Sequence, residues 1–232
     1  MKNYILIILL IFSASASAQE IKILQDALFV EYGKSTSNFD FTNSLGVSSV
    51  NINPTSKNYL RVGYSHDWYF SNKSALNENR FGLVFSLDYN NYGAKGSNKI
   101  LNNFYEWDLD YLGLNLFLNY DLIKIKDFSF FVTAGSSLDY NLRGTQIINY
   151  QVFSLKNSEE FDPFTFFFKG GAGISYPLSE NAKIYVQYLY GLSQIMRDDS
   201  QNSLEELNIS NHSIGLGLLI NIKKFYRNIQ TQ

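Results

Sequence analysis

From Arg80 to Asn90 the chain reads RFGLVFSLDYN, and its residues sort into two chemically distinct rows. Phe81, Leu83, Phe85, Leu87 and Tyr89 share one parity, while Gly82, Ser86, Asp88 and Asn90 share the other. A helix would scatter these neighbours around its circumference, whereas an extended strand sends successive side chains to opposite faces. One face therefore selects hydrocarbon and the other selects water. The pattern recurs in about eight segments of about 9–14 residues, the signature of a closed β-barrel that crosses a membrane.

The candidate strands are 27–36, 59–70, 80–91, 105–120, 127–139, 164–176, 182–194 and 209–223. In the second, Leu60, Val62, Tyr64, His66, Trp68 and Phe70 oppose Arg61, Gly63, Ser65 and Asp67. In the sixth, Phe164, Phe166, Phe168, Ala172, Ile174 and Tyr176 oppose Thr165, Lys169, Gly171, Gly173 and Ser175. The seventh and eighth repeat the arrangement with Ile184, Val186, Tyr188, Tyr190 and Leu192, then with Ile214, Leu216, Leu218, Ile220 and Ile222. The fourth is less regular. Leu112, Leu114, Leu116 and Leu118 form an outer row, but the same parity places Asp110, Asp108 and Glu106 beyond them. Either the strand projects past the membrane, the reading preferred here, or a β-bulge near Tyr111 turns Trp107 and Leu109 outward.

The connections alternate long and short, as short periplasmic turns and long extracellular loops require when both ends of the barrel lie inside. The expected outer loops are 37–58, 92–104, 140–163 and 195–208; the expected inner turns are 71–79, 121–126 and 177–181. Ahead of the strands, Lys2, the apolar run Tyr4–Phe12 and the small residues Ala16-Ser17-Ala18 form a signal peptide, residues 1–18. Its removal leaves residues 19–232 as one barrel domain. There is no cysteine, so a disulfide framework, a thiolate metal site and a lipidated cysteine are excluded. The mean hydropathy of −0.14 is neutral because apolar and polar faces cancel. Composition is more informative: 16% aromatic residues, but only 17% charged against about 25% in globular domains. A net charge of −2 argues against nucleic acid as a partner.

The segment Lys169-Gly170-Gly171-Ala172-Gly173-Ile174-Ser175-Tyr176-Pro177-Leu178 leads through a turn into Tyr185-Val186-Gln187-Tyr188, and the chain closes with Ile214-Gly215-Leu216-Gly217-Leu218. On these pieces it resembles the small outer-membrane β-barrel domain family of diderm bacteria, which includes porin-family and PorT-like proteins. That resemblance implies an eight-stranded antiparallel up-and-down transmembrane barrel in the outer membrane of a Gram-negative cell. It departs from the common pattern at its end, where Phe225 is followed by Tyr226 to Gln232.

Eight strands leave a lumen that side chains fill, so inward polar residues need partners. Glu31, Arg61, Asp88, Lys169 and Gln187 are the candidate interior network. Trp68, Tyr69, Phe70, Tyr89, Tyr105, Trp107, Tyr120 and Tyr176 are the candidate aromatic girdle. The function expected from this pattern is non-catalytic: an envelope-structural, adhesion or surface-interaction role through the external loops. A lipid hydrolase acting on lipid A or phospholipid is the alternative, with Ser210, His212 and Glu206 at the rim as its candidate nucleophile, base and acid. A soluble lipocalin-like barrel that binds a ligand is the third reading. No cofactor and no metal are expected. Expected partners are outer-membrane lipids, the barrel-insertion machinery and periplasmic chaperones during biogenesis, and an envelope or extracellular protein, with the barrel itself a monomer.

Overall fold

Alternation gives a strand two coherent faces, and each alternating segment is a strand in the computed structural model, which describes residues 20–43, 48–49, 53–71, 80–98, 103–155, 163–194 and 205–222. Eight long strands build the wall: β1 (Glu20–Asn43), β2 (Lys57–Ser71), β3 (Arg80–Asn98), β4 (Asn103–Ile125), β5 (Phe128–Ile148), β6 (Phe164–Pro177), β7 (Ala182–Gln194) and β8 (Glu205–Asn221). Each pairs antiparallel with its neighbour in the chain, and β8 returns to β1 in register from Ala27↔Asn221 to Asn43↔Glu205. The sheet is closed on itself. The expected signal peptide, Phe225 and the side chain of Phe70 lie outside the described residues.

Two ends can be distinguished. The turn end carries Lys126–Asp127, with Lys126 at φ 53°, and Leu178–Asn181. The loop end carries the links after β1, β3, β5 and β7. Between them the outer rows expose leucine and valine while the inner rows hold polar groups: Leu114 is 43% exposed, and the adjacent Asn115 is 1% exposed. A lipocalin-like barrel keeps apolar residues inside. Here the mid-barrel lumen holds Glu31, Asp88, Asn90 and Asn115 instead, which rules that reading out.

Several strands run further toward the loop end than the sequence pattern predicts. The expected loop 92–104 is strand to Asn98 and again from Asn103, and the expected loop 140–163 is strand to Ile148 followed by the short piece Gln151–Ser154. The strict alternation of connection lengths is lost there, because the link 99–102 is shorter than 72–79 at the turn end. The cause is a reversal of chemistry along strands whose geometry does not change. Below the boundary, β4 points Leu112–Leu118 outward and Gly113 and Asn115 inward. Above it, on unchanged parities, Glu106, Asp108 and Asp110 face outward while Trp107, Leu109 and Tyr111 are buried inside. β3 reverses at the same level, since Tyr89 pairs with Leu112 and Asn91 with Asp110.

Outside the boundary a polar collar surrounds the wall. Lys57 Nζ lies 3.0 Å from Glu106 and 2.9 Å from Asp108, and Asn91 donates to Asp108 and Asp110. Burial works against the charge on Lys57, yet Asp108 and Glu106 outweigh it and raise its pKa above the ordinary value. Inside, Tyr92, Ala94, Trp107, Leu109, Tyr111 and Leu155 form an apolar core of the kind found in soluble proteins. The projecting reading of β4 is therefore the observed one. A register shift does occur between Asp110 and Tyr111, but the extra residue, Leu142, belongs to β5 and leaves the faces of β4 unchanged.

This reversal corrects the girdle. Trp107 is 2% exposed and stacks on Tyr105 inside the loop end, 5.7 Å between ring centres, because above the boundary the interior is the apolar side. Tyr69 also faces inward, where its hydroxyl donates to Asp67. Trp68, Tyr89, Tyr120 and Tyr176 lie on outward rows, joined by Phe128 against Tyr176 and by Tyr140 against Phe164.

Candidate functional site

The lumen is layered along the barrel axis. Its centre is Glu31, 2% exposed on β1. Tyr59 on β2 donates to Glu31 Oε1, while Tyr185 and Gln187 on β7 donate to Oε2 at 3.1 and 2.6 Å. Arg61 Nη1 faces the same carboxylate at 3.9 Å, and its Nε and Nη2 bind Asp88 on β3 at 2.8 and 2.6 Å. Asn90 and Asn115 also donate to Asp88. The guanidinium lies over the Phe29 ring, 4.9 Å from its centre. Two carboxylates thus share one fixed cation and a set of neutral donors, the condition under which charge is tolerated away from water.

Lys169 forms a second node, closer to the loop end. Its ammonium binds Asp139 at 3.1 Å and the Tyr92 hydroxyl at 2.9 Å. It also lies over the rings of Tyr92 and Phe167, within 5.5 and 5.2 Å. A void of about 30 Å³ separates the two nodes. The structure brings Glu31, Arg61, Asp88 and Gln187 together and holds Lys169 in a layer of its own.

Sequence reasoning missed Tyr59, Tyr185, Asp139 and Phe167. The available signal was the pair of inward glycines on β8. A Cβ on Gly215 would collide with the Tyr59 hydroxyl and Glu31, and one on Gly217 with the Tyr185 ring. Inward glycines on one strand imply large side chains reaching over from its neighbours.

Toward the turn end the lumen widens into a cavity of about 320 Å³, walled by Ser65, Asp67, Ser86, Thr133, Ser175 and Lys183 among others. Arg61 and Gln187 also touch it, so the ion-pair layer forms its floor. Toward the loop end the aromatic core closes the bore.

The candidate hydrolytic residues lie on the outer wall. His212 accepts or donates a 2.7 Å bond with the Tyr188 hydroxyl and packs on Tyr190, 4.7 Å between ring centres. Among the described contacts none joins it to Ser210, and the side chain of Glu206 lies outside the described residues. The other histidine, His66, is also outward; its Nδ1 meets Asp26, to which Tyr64 donates at 2.9 Å, and its ring meets the edge of Trp68. Among the described residues no group of three or more His, Cys, Asp or Glu side chains is arranged to hold a metal.

At the loop end β5 turns back on itself through Asn149 and Tyr150, both with positive φ, 47° and 71°, into Gln151–Ser154. That backbone is the two-residue hairpin turn that matches strand twist. Asn149 fastens it to β4 by exchanging two hydrogen bonds with the Phe104 backbone, at 2.9 and 3.0 Å. Leu155 then anchors the far side in the core. The tip so fixed presents Tyr150, 92% exposed, with Val152 and Phe153.

The family described as outer membrane protein beta-barrel domain matches residues 25–197. Similar solved structures include Neisserial surface protein A, at 14% identity and TM-score 0.42, with 84% of this chain and 99% of that one covered. The outer membrane protein OprG from Pseudomonas aeruginosa is 15% identical with TM-score 0.41, covering 84% and 96%. The outer membrane protease OmpT from Escherichia coli is 10% identical with TM-score 0.45, covering 85% and 97%. No curated protein matches the chain.

Proposed function

Because the chain belongs to the outer membrane β-barrel domain family and is an outer-membrane protein, we propose that it is a non-catalytic barrel whose external hairpin makes contact with a partner outside the cell. The observation that carries this reading is the pinned tip at Asn149–Phe153. Exposed apolar side chains on a mobile loop lose entropy on binding, but these are held in place beforehand by Phe104 and Leu155. Tyrosine presented in this way offers a large contact area at low ordering cost. The engagement of His212 by Tyr188 and Tyr190 supports a structural role for the rim histidine rather than a hydrolytic one.

Cells bearing the protein should adhere to one another or to a protein-coated surface more strongly than cells lacking it. Tyr150→Gly suits the left-handed turn better than tyrosine does, so it keeps the hairpin while removing the aromatic ring. Adhesion should fall several-fold in Tyr150→Gly with Val152→Ser, at equal surface amounts. Unchanged adhesion would reject the hairpin as the contact, and loss of a lipid-deacylating activity in His212→Ala would restore the enzyme reading.

A further inference from the structure

The cavity at the turn end opens to the periplasm and is closed above by the Arg61 layer. Its volume of about 320 Å³ falls at the lower edge of the range for small-molecule sites. Buried polar atoms facing such a space normally have partners, and here some do not. Asp67 is 3% exposed; its Oδ2 receives the Tyr69 hydroxyl, but its Oδ1 receives nothing, and Ser86 Oγ is likewise without a partner. The chemistry of these atoms selects the ligand. A carboxylate oxygen lacking a donor calls for a cation with N–H groups. Arg61 is committed to Asp88 and Glu31, so an anion would find cations only at the turn-end rim, Lys124 and Lys183, away from the unpartnered oxygens. A metal ion would find one carboxylate, Asp67, beside the serine hydroxyls at depth; Asp121, Asp127 and Glu180 line the cavity toward the turns, and among the described residues no three such groups converge as a hard cation needs. The rings of Phe29, Phe117 and Phe131 supply a surface for an apolar body.

We propose that this vestibule binds a small organic ammonium ion from the periplasm, with Asp67 as the counter-charge and Ser86 as a second hydrogen-bond partner. Lys183, which lines the same cavity from β7, is the competing cation whose field reaches Asp67, although no ion pair joins the two among the described contacts. This site lies at the opposite end of the barrel from the external hairpin, so the two readings can fail independently.

The test uses the full chain in detergent micelles, with n-butylammonium chloride, n-butanol and sodium butyrate as probes and amide shifts followed by NMR. Butylammonium should produce saturable shifts at Ser65, Ser86 and Ser175, and bind at least about tenfold more tightly than either isostere. Asp67→Asn should lose about tenfold in affinity without lowering the melting temperature of the barrel, while Lys183→Gln should gain about two- to fivefold by removing the competitor. Equal binding of butanol or butyrate, shifts that do not saturate, or full affinity in Asp67→Asn would each overturn the proposal. So would unchanged binding in Lys183→Gln.

Discussion

Glu31 is held in the lumen entirely by groups from other strands. It receives three neutral donors and faces one guanidinium, all from β2 and β7. Arg61 is the partner that cannot be replaced by rearrangement, because Asp88 relies on it as well. Arg61→Ala leaves two buried carboxylates without their cation and should cost about 3–5 kcal/mol, read as melting of the folded form in detergent. Arg61→Lys should recover part of that loss, since an ammonium keeps the charge but not the forked donors. Gly215→Ala tests the same cluster from β8, the strand between β1 and β7. Its added methyl displaces Tyr59 and Glu31 and should cost about 1–3 kcal/mol, whereas Gly170→Ala, whose methyl would meet only the Thr133 carbonyl at 3.8 Å, should change stability little.

Strand identity was legible wherever the two faces touch different media over their whole length. β7 was placed to the residue, and the outer row Leu112–Leu118 was read correctly. What failed was any inference that assumed one meaning for apolar residues along the entire strand. Tyr92, Trp107 and Leu109 are apolar on inward parities, so a rule equating apolar with outward assigned them to a loop, a girdle or a bulge. Once a strand leaves the bilayer its outside meets water and its inside becomes the dry side, so the rule must be inverted there. The central network was only partly legible. Parity identifies which polar residues turn inward, but not how far Tyr59 or Tyr185 reaches across the bore. The wall itself can be tested with two adjacent residues at one depth, Leu87 outside and Ser86 inside. Leu87→Arg should cost about 2–4 kcal/mol in a bilayer refolding titration if it lies near the midplane. Ser86→Arg, whose side chain can extend into the vestibule, should cost clearly less. Equal penalties would contradict the assignment of faces.

The whole molecule is a cup: sealed by aromatic packing toward the exterior, crossed by ion pairs at mid-height and open toward the periplasm. Orientation can be checked on intact cells with an impermeant thiol reagent. Ser154→Cys should label, and Leu178→Cys, exposed at the turn end, should label only after the outer membrane is breached. Liposomes carrying the purified protein should not swell in small sugars, because among the described residues the ion-pair layer and the aromatic core cross the bore.

The level at which the strands exchange their apolar face also acts as a waterline. From Leu112 to Leu122 the outward row of β4 spans roughly 34 Å along the strand, or about 26 Å in height at a tilt near 40°. That matches the height of a bilayer's hydrocarbon layer around such barrels. If the molecule sank by two residues, Asp110, Asn91 and the Lys57 cluster would be submerged. If it rose by two, Leu112 and its neighbours would be stranded in the headgroups. The draught of the protein is therefore set in its sequence, and with it the height at which the hairpin stands above the cell surface.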